Sequence, residues 1–410
     1  MENKAIIIVS TLYITLLFLI MKIVIRRETR SNIPFIFNIW WFIWLGISFL
    51  NLGKFFPIRA EVYQYILTGI LFINIPFIIF KDNKKFIKKV SNIKKNKILY
   101  IMEGIFLVVN LYYMMKLFWL IDIFKDYRQV RLVYFSLAGK EMRLFGNAII
   151  VYMYNFIKSI SIFNFVISLP KVFKEKKYLL FFMSLLNLTL FCFISGSREF
   201  VSYIIIFGIF SYKAKLLSKS LKYIFALSIP VLLTTALREG NLLKLKMIII
   251  TYFTGSIAYF NEILKSFSGK IYYGELFFSS IIAPIRFLLV ALKIDSNKGG
   301  MHRIGEQLMQ FIQISSENTY SQLYNALASM FYWFYLDFKY LGIILFSFLI
   351  GYFGIYLRRK LEETSLEHTA LISYYEYLLI MSIFTNKFMD IFSIFPFVLY
   401  FFFIKRKIKV

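Results

Sequence analysis

Arg198-Glu199 in LFCFISGSREFVSYIIIFGI and Arg238-Glu239 in LREGN are Arg–Glu dipeptides that interrupt the apolar sequence of this 410-residue chain. Each closes an apolar run. A guanidinium never loses its charge, and its planar fork matches two phosphate oxygens at once. Adjacent residues do not face each other on a helix, so each Glu need not neutralise its Arg. Arg286 and Arg303 lie further along, and four such arginines on one side of a membrane would suit a lipid diphosphate headgroup. His302, in GGMHRIGEQ, is a candidate general base because imidazole titrates near neutral pH. Glu306, four residues on, and Glu239 are the other candidate bases. Asp337 stands in YWFYLDFKYLG. Each has a plainer reading. An arginine can pair with a nearby Glu or snorkel to headgroups, His302 can be a surface-loop residue, and Asp337 can cap a helix or sit at the interface.

The surroundings decide what these residues cost. The sequence is 59% hydrophobic and 20% aromatic, and apolar runs of about 17–25 residues recur throughout, long enough to cross a bilayer. Backbone groups in lipid must satisfy one another, so the fold class is an all-α polytopic membrane protein in a single domain, residues 1–410. The short alternating segments of a β-barrel are missing from the sequence. A net charge of +27 would suggest nucleic acid in a water-soluble protein. Here the Lys and Arg cluster in short loops such as KDNKKFIKKVSNIKKNK at 81–97. That is the positive-inside pattern, so no nucleic-acid partner is expected. With one cysteine, Cys192, and two histidines, His302 and His368, neither a disulfide nor a metal site is expected, and no cofactor. P-loop, dinucleotide-binding, HExxH and GxSxG patterns do not occur.

The elements that must position these residues follow from apolar runs and basic loops. About eleven spans are expected, near 5–25, 33–52, 63–80, 98–121, 148–169, 179–195, 200–212, 223–237, 340–357, 369–385 and 389–404. Basic loops place the N-terminus outside and the C-terminus in the cytoplasm. GSREF becomes a tight turn on the outer side. The outer loop 122–147 has apolar residues at helical spacing and can lie partly along the interface. A large outer loop spans 238–338, with interfacial or re-entrant helices. Within it, 247–264 and 276–294 can instead be an extra pair of spans, and charge bias does not decide between the two.

SGSREFVSYIIIFGIFSY, YFTGSIAYFNEIL and YNALASMFYWFYLDFKYLGIILFSFLIGYF resemble, in order and spacing, three segments of the Wzy-type oligosaccharide repeat-unit polymerases. The third is similar to that family's signature of an Asn, a Thr and then Y.DFG..G.....G. Asn325, Asp337, Phe338, Gly342 and Gly351 keep it, while Lys339 stands where the family usually has Gly. No Thr stands at 326–329. The resemblance covers roughly residues 180–360.

The resemblance implies a fold like the membrane-embedded C-type glycosyltransferases, in the bacterial inner membrane, with no metal requirement. It implies transfer of a growing glycan from undecaprenyl diphosphate to the non-reducing end of a lipid-linked repeat unit. Arg198, Arg238, Arg286 and Arg303 would hold the diphosphate, and His302 or a Glu would deprotonate the acceptor. Tyr272, Tyr273, Tyr320 and Tyr324 could stack on sugars or belong to the interfacial belt; Asn325 and Asp337 would bind glycan or serve structure. A flippase and a chain-length regulator would be partners beside membrane lipid. The alternatives are a ligase-like glycan transferase and a flippase or transporter of lipid-linked oligosaccharide. A transporter would spread charges along its spans; here they concentrate in the outer loops, though Glu103, Lys116 and Lys158 lie inside apolar runs.

Overall fold

A computed structural model describes residues 2–25, 33–80, 92–93, 97–122, 129–134, 143–146, 148–176, 178–197, 199–218, 220, 245–265, 269–292, 304, 312–315, 323–324, 328–360 and 366–405. Among them the fold is all-α. The helices are α1 (Glu2–Ile25), α2 (Pro34–Phe49), α3 (Ala60–Ile79), α4 (Lys97–Leu120), α5 (Gln129–Tyr134), α6 (Ala148–Lys174) and α7 (Leu179–Ser195). After them come α8 (Phe200–Lys213), α9 (Leu245–Lys265), α10 (Ser279–Ala291), α11 (Met330–Lys360), α12 (Leu366–Ile380) and α13 (Ile391–Phe403). Two antiparallel pairs, each of two-residue strands, join 92–93 to 404–405 and 312–313 to 323–324. Among the described residues five helices are long and apolar enough to cross a membrane: α1, α3, α4, α6 and α11. Shorter apolar helices coincide with expected spans at α2, α7, α8 and α13. The expected span at 223–237 lies outside the described residues.

α4 shows why this is a membrane fold. Leu99, Glu103, Phe106, Asn110 and Leu117 share one stripe and are buried. Ile98, Ile101, Ile105, Val108, Met115 and Trp119 lie on the other stripe and are exposed, Trp119 at 91%. A water-soluble helix turns its polar stripe outward. Here the polar stripe faces protein and the apolar one faces the surroundings, as hydrocarbon demands.

The chain divides into two compact units. The first comprises 1–85, 243–361 and 378–394. Its axis is the pair α3 and α11, which run parallel. Gly69 lies against Phe331 and Ile343, Gly351 lies against Ile73 and Pro76, and Phe80 meets Tyr352 at 5.5 Å. Two glycines let the helices approach closely. α2 packs beside them, with Asn38 and Asn74 exchanging amide hydrogen bonds of 2.8 and 2.9 Å. α9, from within the expected large loop, stacks Phe253 on Trp44 of α2 at 4.3 Å. α10 has 13 residues, about 20 Å at 1.5 Å per residue, too short for a hydrocarbon core of about 30 Å.

The second unit comprises 86–242, 362–377 and 395–410, and its core is α4, α6 and α7. α5 is the one described helix of the loop expected to be amphipathic. Val130, Val133 and Tyr134 are buried in a cluster with Tyr154, Phe191 and Ile194. α7 ends where a tight turn was expected. Gly196 takes φ +59°, and the amides of Gly196 and Ser197 bond back to Phe193 O and Cys192 O at 3.2 and 3.0 Å. This is a left-handed helix stop that glycine adopts most readily.

A Cβ on Gly351 would lie 2.2 Å from the Ile73 carbonyl oxygen, whereas one on Gly208 in α8 would meet nothing within 4 Å. Gly351→Ala therefore forces α3 and α11 apart and is expected to cost about 1–3 kcal/mol. Gly208→Ala is expected to gain about 0.5–1 kcal/mol from helix propensity. Thermal unfolding of the two purified variants in detergent checks the opposite signs.

Candidate functional site

α11 is not one straight rod. Phe338 (φ −142°, ψ 27°) and Lys339 (φ 54°, ψ −134°) break it. A Cβ on Gly342 would lie 2.1 Å from the Phe334 carbonyl oxygen. In a continuous helix eight residues advance about 12 Å. The segment 330–337 is therefore folded back on the start of the segment after 339, forming a helical elbow. The long segment beyond the elbow begins at 340, where the sequence places the ninth span.

Ending a helix at an elbow leaves carbonyls without partners. The loop 269–278 supplies them. The amides of Tyr272 and Tyr273 donate to Leu336 O and Asp337 O, each at 3.1 Å. The Asp337 side chain, with no solvent exposure, completes the joint. One carboxylate oxygen accepts the Leu276 amide at 3.1 Å and the other the Phe277 amide at 2.8 Å. Two successive amides just ahead of α10 point at one anion, as at a helix N-terminus. Phe277 stacks on Phe346 at 4.0 Å, so the loop is fastened by packing as well. The reversal of the loop needs Tyr273 at φ 52° and Gly274 at φ 84°.

Glu275 stands in this loop and forms an ion pair with Arg286 of α10. Asp337 and Arg286 were both singled out in the sequence, and they meet at one loop through its amides and through Glu275. Asp337 caps another segment's backbone rather than the start of its own helix. Glu275 was missed by sequence reasoning; the Gly274-Glu275 step after two tyrosines is the only local signal it offers. Tyr273 is exposed beside this pair, and Lys270 lies over the Tyr272 ring at 5.6 Å. The arrangement presents a half-buried guanidinium, a carboxylate and aromatic faces on one fixed loop.

The remaining candidates separate. Arg198, Arg238, Glu239, His302, Arg303, Glu306, Tyr320 and Asn325 lie outside the described residues. Glu199, next to Arg198, pairs with Lys158 of α6, which also lies 4.5 Å from the Phe191 ring centre. Glu262 accepts from Lys265 at 2.7 Å and from Asn261 at 2.8 Å. The same Asn261 accepts the Arg59 backbone amide at 3.1 Å. Tyr324 is in the strand pair with Ile312.

Comparison with protein-family models, curated proteins and solved structures finds no match.

Lys339 holds a backbone conformation suited to glycine, which costs a side-chain-bearing residue about 1–3 kcal/mol. Lys339→Gly is expected to raise stability by about 1 kcal/mol, read as a higher unfolding temperature in detergent. Asp337→Asn keeps the volume but replaces an acceptor oxygen with a donor facing an amide. It is expected to cost about 2–3 kcal/mol by the same measurement.

Proposed function

We propose that this chain is a membrane glycosyltransferase of the repeat-unit polymerase kind, working on undecaprenyl-diphosphate-linked glycans at the outer leaflet. The observation that carries the reading is the elbow. At Lys339, where the polymerases it resembles usually have Gly, the backbone takes a glycine-like conformation. The two glycines of the signature that are kept, Gly342 and Gly351, sit where an added Cβ has no room. Signature positions that answer a geometric need are better support than spacing alone. About eleven spans, with the N-terminus outside and the C-terminus inside, accompany this reading. The parallel course of α3 and α11, whose far ends bring Arg359 over the Phe80 ring at 5.5 Å, agrees with both entering the cytoplasm.

The chemistry assigned is a displacement at the anomeric carbon. The acceptor hydroxyl loses its proton to a base, His302, Glu239 or Glu306. Its oxygen bonds to C1 of the donor sugar, and the C1–O bond to undecaprenyl diphosphate breaks. Arg198, Arg238, Arg286 and Arg303 hold the diphosphate as its charge develops. No metal is assigned a role. A flippase and a chain-length regulator are the proposed partners. Against the transport reading, the lysines within the apolar helices of the second unit are engaged in packing. Lys116 donates to Leu144 O at 2.6 Å, Lys158 is paired, and Lys213 meets Glu376 at 2.8 Å.

Arg198→Lys keeps the charge and loses the fork. It is expected to shorten or abolish long-chain polysaccharide while protein abundance in the membrane is unchanged, measured by gel profiles of the glycan. Unchanged chain lengths would remove Arg198 from the diphosphate site. A deletion strain separates polymerase from ligase: single repeat units accumulate in the first case, long carrier-linked chains in the second.

A further inference from the structure

Glu103 lies in the middle of the second unit with no solvent exposure, on a helix apolar enough to span the membrane. Its hydrogen-bond partners are neutral. Ser161 Oγ donates at 3.1 Å, Asn164 Nδ2 at 2.7 Å and Asn187 Nδ2 at 2.5 Å. Among the described residues no Lys, Arg or His pairs with it. An isolated carboxylate in such surroundings is costly unless a positive charge compensates it. A second observation stands beside it. Asn164 Oδ1 is buried and has no hydrogen-bond partner among the described residues. Amide oxygen and nitrogen are interchangeable by a half-turn of the side chain. That turn brings Oδ1 to the 2.7 Å position beside Glu103 Oε1. Two oxygens at that distance need a proton between them, which a protonated Glu103 Oε1 donates to Asn164 Oδ1.

We infer that Glu103, with Asn164 and Ser161 around it, is a binding site for one proton in the α4–α6–α7 core. Asn187 and Asn110 complete its surroundings. Asn187 also donates to Glu103 O at 3.0 Å, and Asn110 bonds Asn187 Oδ1 at 2.9 Å while accepting from Tyr154 at 2.6 Å. The other charged groups on the packed helices are accounted for. Lys116 of α4 and Lys158 of α6 are engaged as above, α7 carries none, and Lys97, Lys171 and Lys174 stand in terminal turns. The ionisable Tyr154 on α6 and Cys192 on α7 are buried in the same core.

The test is thermal unfolding of the purified full chain in detergent, with NaCl exchanged for choline chloride at constant ionic strength and pH, then with pH varied in choline. Binding to the folded state raises the unfolding temperature saturably with ligand concentration. A wild type that rises with NaCl while Glu103→Gln does not would show a metal cation instead and overturn the inference. For a proton the wild type is insensitive to NaCl, becomes more stable as pH falls, and Glu103→Gln flattens that slope. Ser161→Ala, which keeps the carboxyl but removes a donor to its charged form, is expected to move the pH response to higher pH, by roughly 10-fold in proton affinity. A wild type that responds to neither ion, or a Glu103→Gln variant that keeps the full response, overturns the inference.

Discussion

The first unit depends on one carboxylate. Asp337 sits where a helix turns back on itself, and its two oxygens bind the amides that begin the turn into α10. Inside a membrane protein no water waits to satisfy a broken helix, so an elbow persists only if other protein groups take over its backbone. The loop 269–278 does so from both directions: its amides satisfy the elbow's carbonyls, and the elbow's carboxylate satisfies the loop's amides. The loop in turn sets Glu275 against Arg286. Removing Asp337's charge would loosen a candidate anion-binding arginine through a chain of fixed contacts.

The second unit meets the same constraint differently. Its buried polar groups form a connected set across α4, α6 and α7, centred on Glu103 and the asparagines around it. Such a network fixes helix register, because sliding one helix by a turn would strand several groups at once. Lys158 and Glu199 tie α6 to the start of α8 beside the Gly196 stop. Charges within apolar helices are in both units part of how the helices are joined.

Much of the helical framework was legible in the sequence. Length and hydropathy placed α1 to α4, α6, α7 and the later part of α11 within a few residues, because hydrocarbon leaves few alternatives. The turn at 196–199 was legible too, since Gly sits between two apolar runs. The buried stripe of α4 could be read from the spacing of Glu103 and Asn110. The elbow was not legible in detail. Asp337 is 60 or 61 residues from the amides it binds, and backbone donors leave no mark on residue type. Glu275 was missed for the same reason: its partner Arg286 is 11 residues away across a turn, a separation no helical periodicity reveals. Neither α5 nor the packing of α9 along α2 changes the fold class, but both move expected loop residues into the core.

The proposed polymerase would itself form the bond between two lipid-linked repeat units. The direct measurement is purified protein in detergent, supplied only with undecaprenyl-diphosphate-linked repeat units and a metal chelator, with products resolved by size. The proposed activity would give a ladder of longer lipid-linked glycans and release undecaprenyl diphosphate in step with each added unit. Intact substrate after incubation with protein that remains folded would contradict it.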